Sequence, residues 1–397
     1  MSSAAGRSPS DSDRAFRLIV TGGGTGGHTY PALTAVRTLQ ARLADSRRAL
    51  DVLWVGTADS LEARVAAGEG IRFAPVATGK IRRSSNPLKM LSPANVKDMG
   101  RVPLGVAQSR KLVNGFRPDV VLATGGYVAV PVGLAAARFC KRPLVVHEQT
   151  VRLGLANRTL AGRATRIAVS SESTLPLLPE AARAVAVVTG NPVRPEVLTG
   201  QPEKARAALG LSGFAPQLPT VYVTGGAQGS QQINHLVRDI LPWLLTQANV
   251  IHQCGPGNVE ELRRHTAGLP AELAGRYLLT GYVGPELPDV LALADVVISR
   301  SGAGTIAELT ALGKAAVFVP LATSAGNEQA HNARHLQEAG AAVALPADPT
   351  PDTLREAVGP LLADPAHRAT MAAQARTQGR PDAAERLVDV LLDAARA

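Results

Sequence analysis

Three glycine-rich stretches supply the bare backbone and side chains that chemistry would use. "TGGGTGGHTY", residues 21–30, follows the apolar run "RLIV" and delivers His28 straight after its last glycine. "TGGAQGS", residues 224–230, follows "TVYV", and "SRSGAGTIAEL", residues 299–309, follows "DVVI". Glycine has no Cβ, so backbone N–H groups at such loops can approach a phosphate or sugar directly. A neutral imidazole, with a reference pKa of about 6.5, can accept a proton near neutral pH. A helix beginning at Ser301–Thr305 would aim unpaired N–H groups and roughly half a positive charge at a pyrophosphate. Glu308, about one turn in, could accept two ribose hydroxyls. "NEQAHNA", residues 327–333, adds Glu328, Gln329 and Asn332, side chains of the kind that read sugar hydroxyls.

Gly22, Gly24 and Gly27 also satisfy G-x-G-x-x-G, the dinucleotide fingerprint. An NAD site needs an acid near the end of the second strand to hold the ribose. That strand, "LDVLWVG", runs into Gly56 and Thr57, and Asp59 comes late, which argues against a dehydrogenase. No G-x-x-x-x-G-K-[ST] occurs, so a P-loop is also disfavoured. Cys140 and Cys254 form neither a metal spacing nor a disulfide framework, and a reducing compartment is expected. With no D-x-D pair in a suitable loop and no His/Cys cluster, no metal and no cofactor are expected.

The elements that must position these groups alternate. Short apolar runs such as "FRLIVT", "DVVLAT" and "RPLVVHE", and later "NVIHQCG" and "AAVFVP", are separated by stretches of helical period such as "YPALTAVRTLQARLA". Alternation of this kind predicts parallel sheets covered by helices on both faces. The pattern starts twice, at residue 17 and again about 200 residues later, and "GNPVRPEV", residues 190–197, suits a hinge between the halves. The expected fold is α/β, two Rossmann-like doubly wound parallel-sheet domains facing a central cleft, with ligands at the carboxyl ends of the strands. Residues 1–14 are expected to be a disordered tail without a secretory h-region. Residues 120–137 approach the length of a membrane span, but Gly125, Gly126 and Pro131 interrupt them, and no transmembrane helix is expected.

The net charge is +10, and nine basic side chains against the single acid Asp98 lie between Lys80 and Arg117. Such a cluster suits nucleic acid or an anionic membrane. Only 3% of residues are aromatic and no base-reading motif occurs, so no nucleic-acid partner is expected.

The ordered set "GGTGGH" (23–28), "TGGY" (124–127), "HEQ" (147–149), "GNPVR" (190–194), "GGAQG" (225–229), "RSGAGTIAE" (300–308), "FVP" (318–320) and "EQAHNA" (328–333) resembles the GT-B glycosyltransferases and, more closely, the MurG family. That family transfers N-acetylglucosamine (GlcNAc) from UDP-GlcNAc to undecaprenyl-pyrophosphoryl-MurNAc-pentapeptide, turning lipid I into lipid II. The resemblance implies a base role for His28 at the acceptor C4 hydroxyl. It implies that Thr25, Gly26 and Gly27 face the sugar or phosphate, that Arg194 faces the nucleotide, and that Val283 offers its backbone to the uracil. Ala303, Gly304 and Thr305 would bind the diphosphate, Glu308 the ribose, and Gln329 the GlcNAc hydroxyls, with Glu328 and Asn332 beside it. Tyr127 and Glu148 would lie on the acceptor side. Two positions depart from the family pattern: Thr150 replaces the common asparagine after "HEQ", and Ala227 replaces serine in the "GGSQG"-type loop. Both remain near the expected donor site.

Under this resemblance residues 15–193 form the acceptor and membrane-side domain and residues 194–375 the UDP-GlcNAc domain. Residues 376–397 form a helix able to pack back on the first. The expected partners are UDP-GlcNAc, lipid I, an anionic membrane surface and other cell-wall synthesis proteins, and the expected location is peripheral, on the cytoplasmic face of the cell membrane. Arg82, Arg83 and Lys89, with Leu88, Met90 and Leu91 among them, are the membrane-docking candidates. The alternatives are a GT-B transferase with another acceptor, or a nucleotide-binding membrane partner of the cell-wall machinery without turnover.

Overall fold

The computed structural model describes residues 14–79 and 93–397. The chain divides into two compact units, one running to Pro192 and including Asp382–Ala397, the other spanning Val193–Pro381. The division falls inside "GNPVRPEV". The six membrane-docking candidates, Arg82 to Leu91, lie outside the described residues.

The first unit holds seven strands among the described residues: β1 (Phe16–Thr21), β2 (Leu50–Gly56), β3 (Arg72–Pro75), β4 (Val120–Ala123), β5 (Leu144–Glu148), β6 (Arg166–Val169) and β7 (Ala186–Val188). They pair in the order β3-β2-β1-β4-β5-β6-β7, all parallel. Successive residues of a strand point to opposite faces, and each face here has its own core. Leu18, Val20, Leu122 and Val145 pack on one side, while Ile19, Val121, Leu144 and Val146 pack on the other. That two-sided burial is why the strands read as unbroken apolar runs. Leu387, Val388 and Leu391 of the carboxy-terminal helix Ala383–Ala394 fill the first of these cores. Arg42 reaches Asp389 of that helix at 3.1 Å, and Arg166 reaches Asp393 at 2.9 Å.

The second unit holds six strands, β8 (Thr220–Thr224), β9 (Asn249–Gln253), β10 (Tyr277–Thr280), β11 (Val296–Ser299), β12 (Ala315–Phe318) and β13 (Val343–Ala344). Their order is β10-β9-β8-β11-β12-β13, again parallel throughout. Two Rossmann-like parallel-sheet units are therefore what the sequence pattern leads to. In each sheet the strand order reverses beside the first strand, between β1 and β4 and between β8 and β11. A crevice forms outside the carboxyl ends at such a switch point. The glycine loops after β1, β4, β8 and β11 all lie there. Among the described residues no helix is long and apolar enough to cross a membrane.

Candidate active site

In the first unit the loop after β1 is shorter than its glycine content suggests. The helix Gly26–Asp45 begins at Gly26, with extended Thr25 as its N-cap, so Gly26 and Gly27 are helical and His28 stands in the first turn. Among the described residues no side chain caps this helix. Thr25 and Gly27 are exposed and Gly26 and His28 half-buried, so the orphan N–H groups of the first turn are open to a ligand.

The loop after β4 is fitted against it backbone to backbone. Gly126 has φ +83°, and a Cβ there would lie 2.3 Å from the carbonyl oxygen of Gly23. Gly125 has φ +106°, and its Cβ would lie 2.9 Å from Cε1 of His28. Bare backbone at residue 125 thus makes room for the imidazole. Thr124 Oγ1 donates to the carbonyl of His28 at 2.9 Å. On the other side, buried Glu62 accepts from the backbone N–H of Gly24 at 3.1 Å and of Thr57 at 3.2 Å. Glu62, in the first turn of the helix Leu61–Gly68 that follows β2, therefore braces the glycine loop internally.

The end of β5 supplies the rest. Nδ1 of His28 is 3.0 Å from Oε1 of Gln149, whose side chain is buried. Gln149 was not among the expected site residues, although both of its neighbours were. Glu148 is buried, and its carboxylate accepts from Thr150 N at 3.0 Å, Thr150 Oγ1 at 2.8 Å, Gly154 N at 2.8 Å and Asn157 Nδ2 at 3.0 Å. Four donors saturate it, so Glu148 shapes the loop leading to the helix Leu155–Ala161. The Thr150 hydroxyl is turned inward, toward Glu148 and the Arg152 carbonyl. Tyr127 presents an exposed ring from the β4 loop.

In the second unit the helix Ala303–Leu312 starts after Gly302, again with no side-chain cap and no acid in its first turn. Among the described residues a Cβ on Gly302 or Gly304 would meet nothing within 4 Å. The N–H groups of Ala303, Gly304 and Thr305 thus form an open anion-accepting end. Further along this helix, Glu308 meets Arg194: Nε and Nη2 both stand 2.9 Å from Oε1. Burial raises the Glu308 pKa above the ordinary carboxylate value, with Arg194 acting against it. Oε2 has no hydrogen bond from the described residues.

The remaining expected residues group around this helix. Ser301 Oγ donates to the Gln329 carbonyl at 2.8 Å, and buried Asn332 donates to the Ser301 carbonyl at 3.3 Å. Asn332 therefore ties the helix Glu328–Glu338 to the loop after β11. Gln329 Oε1 accepts from Leu321 N at 3.0 Å, which leaves its NH2 end for a ligand. Glu328 opens the same helix, after Gly326 and Asn327 in left-handed conformation. Ala227 is exposed in the β8 loop. The Val283 N–H is engaged by Gln253 Oε1 at 2.9 Å, so what this backbone can offer a base is its carbonyl. Gln253 also donates to Gly226 O at 2.9 Å and Thr224 Oγ1 at 3.1 Å.

Arg300 was not expected either. Its guanidinium donates to Gln232 Oε1, Ser230 Oγ and the carbonyls of Val319 and Pro320, at 2.7, 2.7, 2.9 and 3.3 Å. It thereby fastens the loops after β8, β11 and β12 to one another. Both omissions are long-range relations that local sequence does not mark.

Residues 18–169 match the Glycosyltransferase family 28 N-terminal domain and residues 220–387 the Glycosyltransferase family 28 C-terminal domain. The chain is 37% identical over 382 residues to the UDP-N-acetylglucosamine–N-acetylmuramyl-(pentapeptide) pyrophosphoryl-undecaprenol N-acetylglucosamine transferase of Desulforudis audaxviator, covering 95% of this chain and 98% of the relative. It is 35% identical to the enzyme of that name from Listeria monocytogenes, over 95% of this chain and 99% of the relative. The crystal structure of Acinetobacter baumannii MurG superposes with a TM-score of 0.73 at 27% identity, covering 95% of this chain and 99% of that one. The chain belongs to glycosyltransferase family 28, and within it to the MurG family of N-acetylglucosamine transferases.

Proposed function

We propose that this chain moves GlcNAc from UDP-GlcNAc to the C4 hydroxyl of MurNAc in undecaprenyl-pyrophosphoryl-MurNAc-pentapeptide, making lipid II from lipid I in peptidoglycan synthesis. The observation that carries this reading is likeness to transferases of that name along nearly the whole chain. The reaction is a single displacement. The acceptor O–H gives its proton to Nε2 of His28 as the new C–O bond forms at the anomeric carbon. The bond to the UDP β-phosphate oxygen breaks, its electron pair leaves with UDP, and the α-linked donor becomes a β-1,4 product.

We assign the growing charge on UDP to the N–H groups of Ala303, Gly304 and Thr305 and to their helix dipole. Oε2 of Glu308 accepts from the ribose, the NH2 end of Gln329 reads a GlcNAc hydroxyl, and the Val283 carbonyl accepts from the uracil. Arg194 opposes the burial that raises the Glu308 pKa and holds one carboxylate oxygen in place. Thr25, Gly26 and Gly27 offer backbone N–H groups to the sugar or phosphate. Ala227 keeps only its backbone for the donor, and Thr150, with its hydroxyl turned to Glu148, contributes mainly to the loop. No metal takes part in this scheme.

The enzyme works peripherally on the cytoplasmic face of the membrane, where Arg82, Arg83 and Lys89 meet anionic lipid, each worth about 1 kcal/mol. Leu88, Met90 and Leu91 insert beside them. Charge reversal at the three basic residues should abolish liposome binding; unchanged binding would refute this role.

The deciding assay uses UDP-GlcNAc and a lipid I analogue, with wild type and His28→Ala. Transfer by wild type, reduced at least ~100-fold in the variant, is expected of a general base. An unaffected variant would refute the base assignment. Donor binding without transfer to lipid I would point to another acceptor or to the non-catalytic alternative.

A further inference from the structure

We propose that Gln149, itself oriented by buried His147, holds His28 as its Nδ1–H tautomer, so that Nε2 is the atom left to take the acceptor proton. The proposal rests on the base assignment above and deepens it. Gln149 is a positioning residue in this scheme, because it touches the imidazole and not the reacting sugar.

The orientation of the Gln149 amide follows from its neighbours. Its Nε2 lies 2.8 Å from the Thr124 carbonyl oxygen and 3.0 Å from the His147 carbonyl oxygen. Both can only accept, so this end of the amide must be the NH2. Turning the amide over would press Oε1 against two carbonyl oxygens at those distances. Oε1 therefore faces His28 Nδ1 at 3.0 Å, and since Oε1 can only accept, Nδ1 must carry the hydrogen. In a neutral imidazole the other nitrogen then holds the lone pair.

A second, independent contact agrees. His147 Nε2 lies 3.1 Å from the Gly190 carbonyl oxygen, so it donates there, and its Nδ1 is the acceptor. That acceptor is 3.0 Å from Gln149 Nε2, the NH2 end. Every donor in the run from His28 through Gln149 and His147 to Gly190 thus points the same way. His147 is buried, and burial lowers its pKa to about 4, so the neutral form needed at the middle of the run persists at working pH.

The test is imidazole-nitrogen NMR on the full-length protein at about pH 8, above the histidine reference value of about 6.5. The His28 signals are identified by their absence in His28→Ala. The expected spectrum has hydrogen on Nδ1 and none on Nε2; hydrogen on Nε2 would overturn the proposal whether or not His28 is the base. In Gln149→Met the acceptor is gone while the side chain keeps its length. The signals should then shift toward the Nε2–H tautomer, and kcat should fall ~10- to 100-fold with the donor KM within about twofold. An unchanged tautomer, or unchanged kcat, in folded Gln149→Met would remove Gln149 from the role. Should that variant not fold, the wild-type spectrum alone decides. Normal transfer by His28→Ala would instead refute the base assignment and leave the tautomer to stand or fall on the spectrum.

Discussion

Two nitrogens of Arg194 converge on one oxygen of Glu308, each at 2.9 Å, and the second carboxylate oxygen is left over. Glu308 is largely buried while Arg194 stays partly exposed, and burial outweighs the guanidinium, so the Glu308 carboxyl titrates above its ordinary value of 4.5. A raised folded pKa means the folded state binds more protons than the unfolded one between 4.5 and the raised value. Stability contributed there is present at low pH and lost as pH rises through that window. Glu308→Gln should remove this decline from the unfolding midpoint of the second unit. It should also weaken UDP-GlcNAc binding ~10- to 100-fold by calorimetry, the worth of hydrogen bonds to a charged group. Unchanged donor affinity would refute the ribose role.

Two buried histidines set the opposite trend. His147 in the first unit and His252 in the second are both lowered to about 4 by burial, from 6.5. Between those values the unfolded chain binds more protons, so stability is lost as pH falls from about 6.5 to about 4. At 1.36 kcal/mol per pKa unit, each histidine is worth about 3 kcal/mol over that range. Urea unfolding of both units should weaken from about pH 7 to about pH 5, and His252→Gln should relieve the second unit alone. Flat midpoints across the window would contradict the burial argument.

Much of this fold is legible in the sequence. Strands such as "RLIV" and "DVVL" are recognisable because both faces of each sheet are buried, so no polar residue breaks the run. The start of the first helix was not, because Gly26 and Gly27 have poor helix propensity and read as loop. Gln149 lies 121 positions from His28, and nothing near it in sequence marks the partner. The same holds for Arg300 with Ser230, 70 positions apart. Glu148 enters the expected site only through the resemblance carried by "HEQ". Only the turn bringing Gly154 and Asn157 back to it reveals a carboxylate already occupied.

Two glycines with the same backbone twist should respond differently to alanine. Gly24 and Gly126 have φ +82° and +83°. Around Gly24 a Cβ meets nothing within 4 Å among the described residues, so Gly24→Ala bears only the backbone cost of about 1–2 kcal/mol. At Gly126 the Cβ would sit 2.3 Å from the Gly23 carbonyl oxygen, so the two loops must part. Gly126→Ala should cost more than ~3 kcal/mol in unfolding experiments, in the range of severe substitutions, and should lose transfer. Equal costs would show that the close approach of the loops is not maintained in solution.

The proposed scheme places the charge of departing UDP on protein N–H groups. Transfer in excess EDTA should then stay within about twofold of the untreated rate, whereas loss of a Lewis-acid metal would remove several kcal/mol of transition-state stabilisation. A collapse restored by added divalent cation would refute this part of the mechanism.

Arg300 offers the sharpest separation of charge from geometry. All four of its acceptors are neutral oxygens, on the loops after β8 and β12 and on the helix that follows β8, and burial lowers its pKa. A guanidinium reaches several acceptors because its donors form a rigid planar fork, while a lysine is a point charge with three rotatable donors. Arg300→Lys keeps a positive charge near Gly302–Thr305 and loses the fork, and Arg300→Met loses both. If positioning of the loops is what matters, both variants should raise the donor KM by similar factors, ~10-fold or more, from at least one charged hydrogen bond lost. If the charge itself matters for UDP departure, Arg300→Lys should retain kcat while Arg300→Met loses it. The structure favours the first outcome, because Nη1 and Nη2 of the guanidinium both hold loops. A lysine variant with wild-type KM would show that the fork is dispensable.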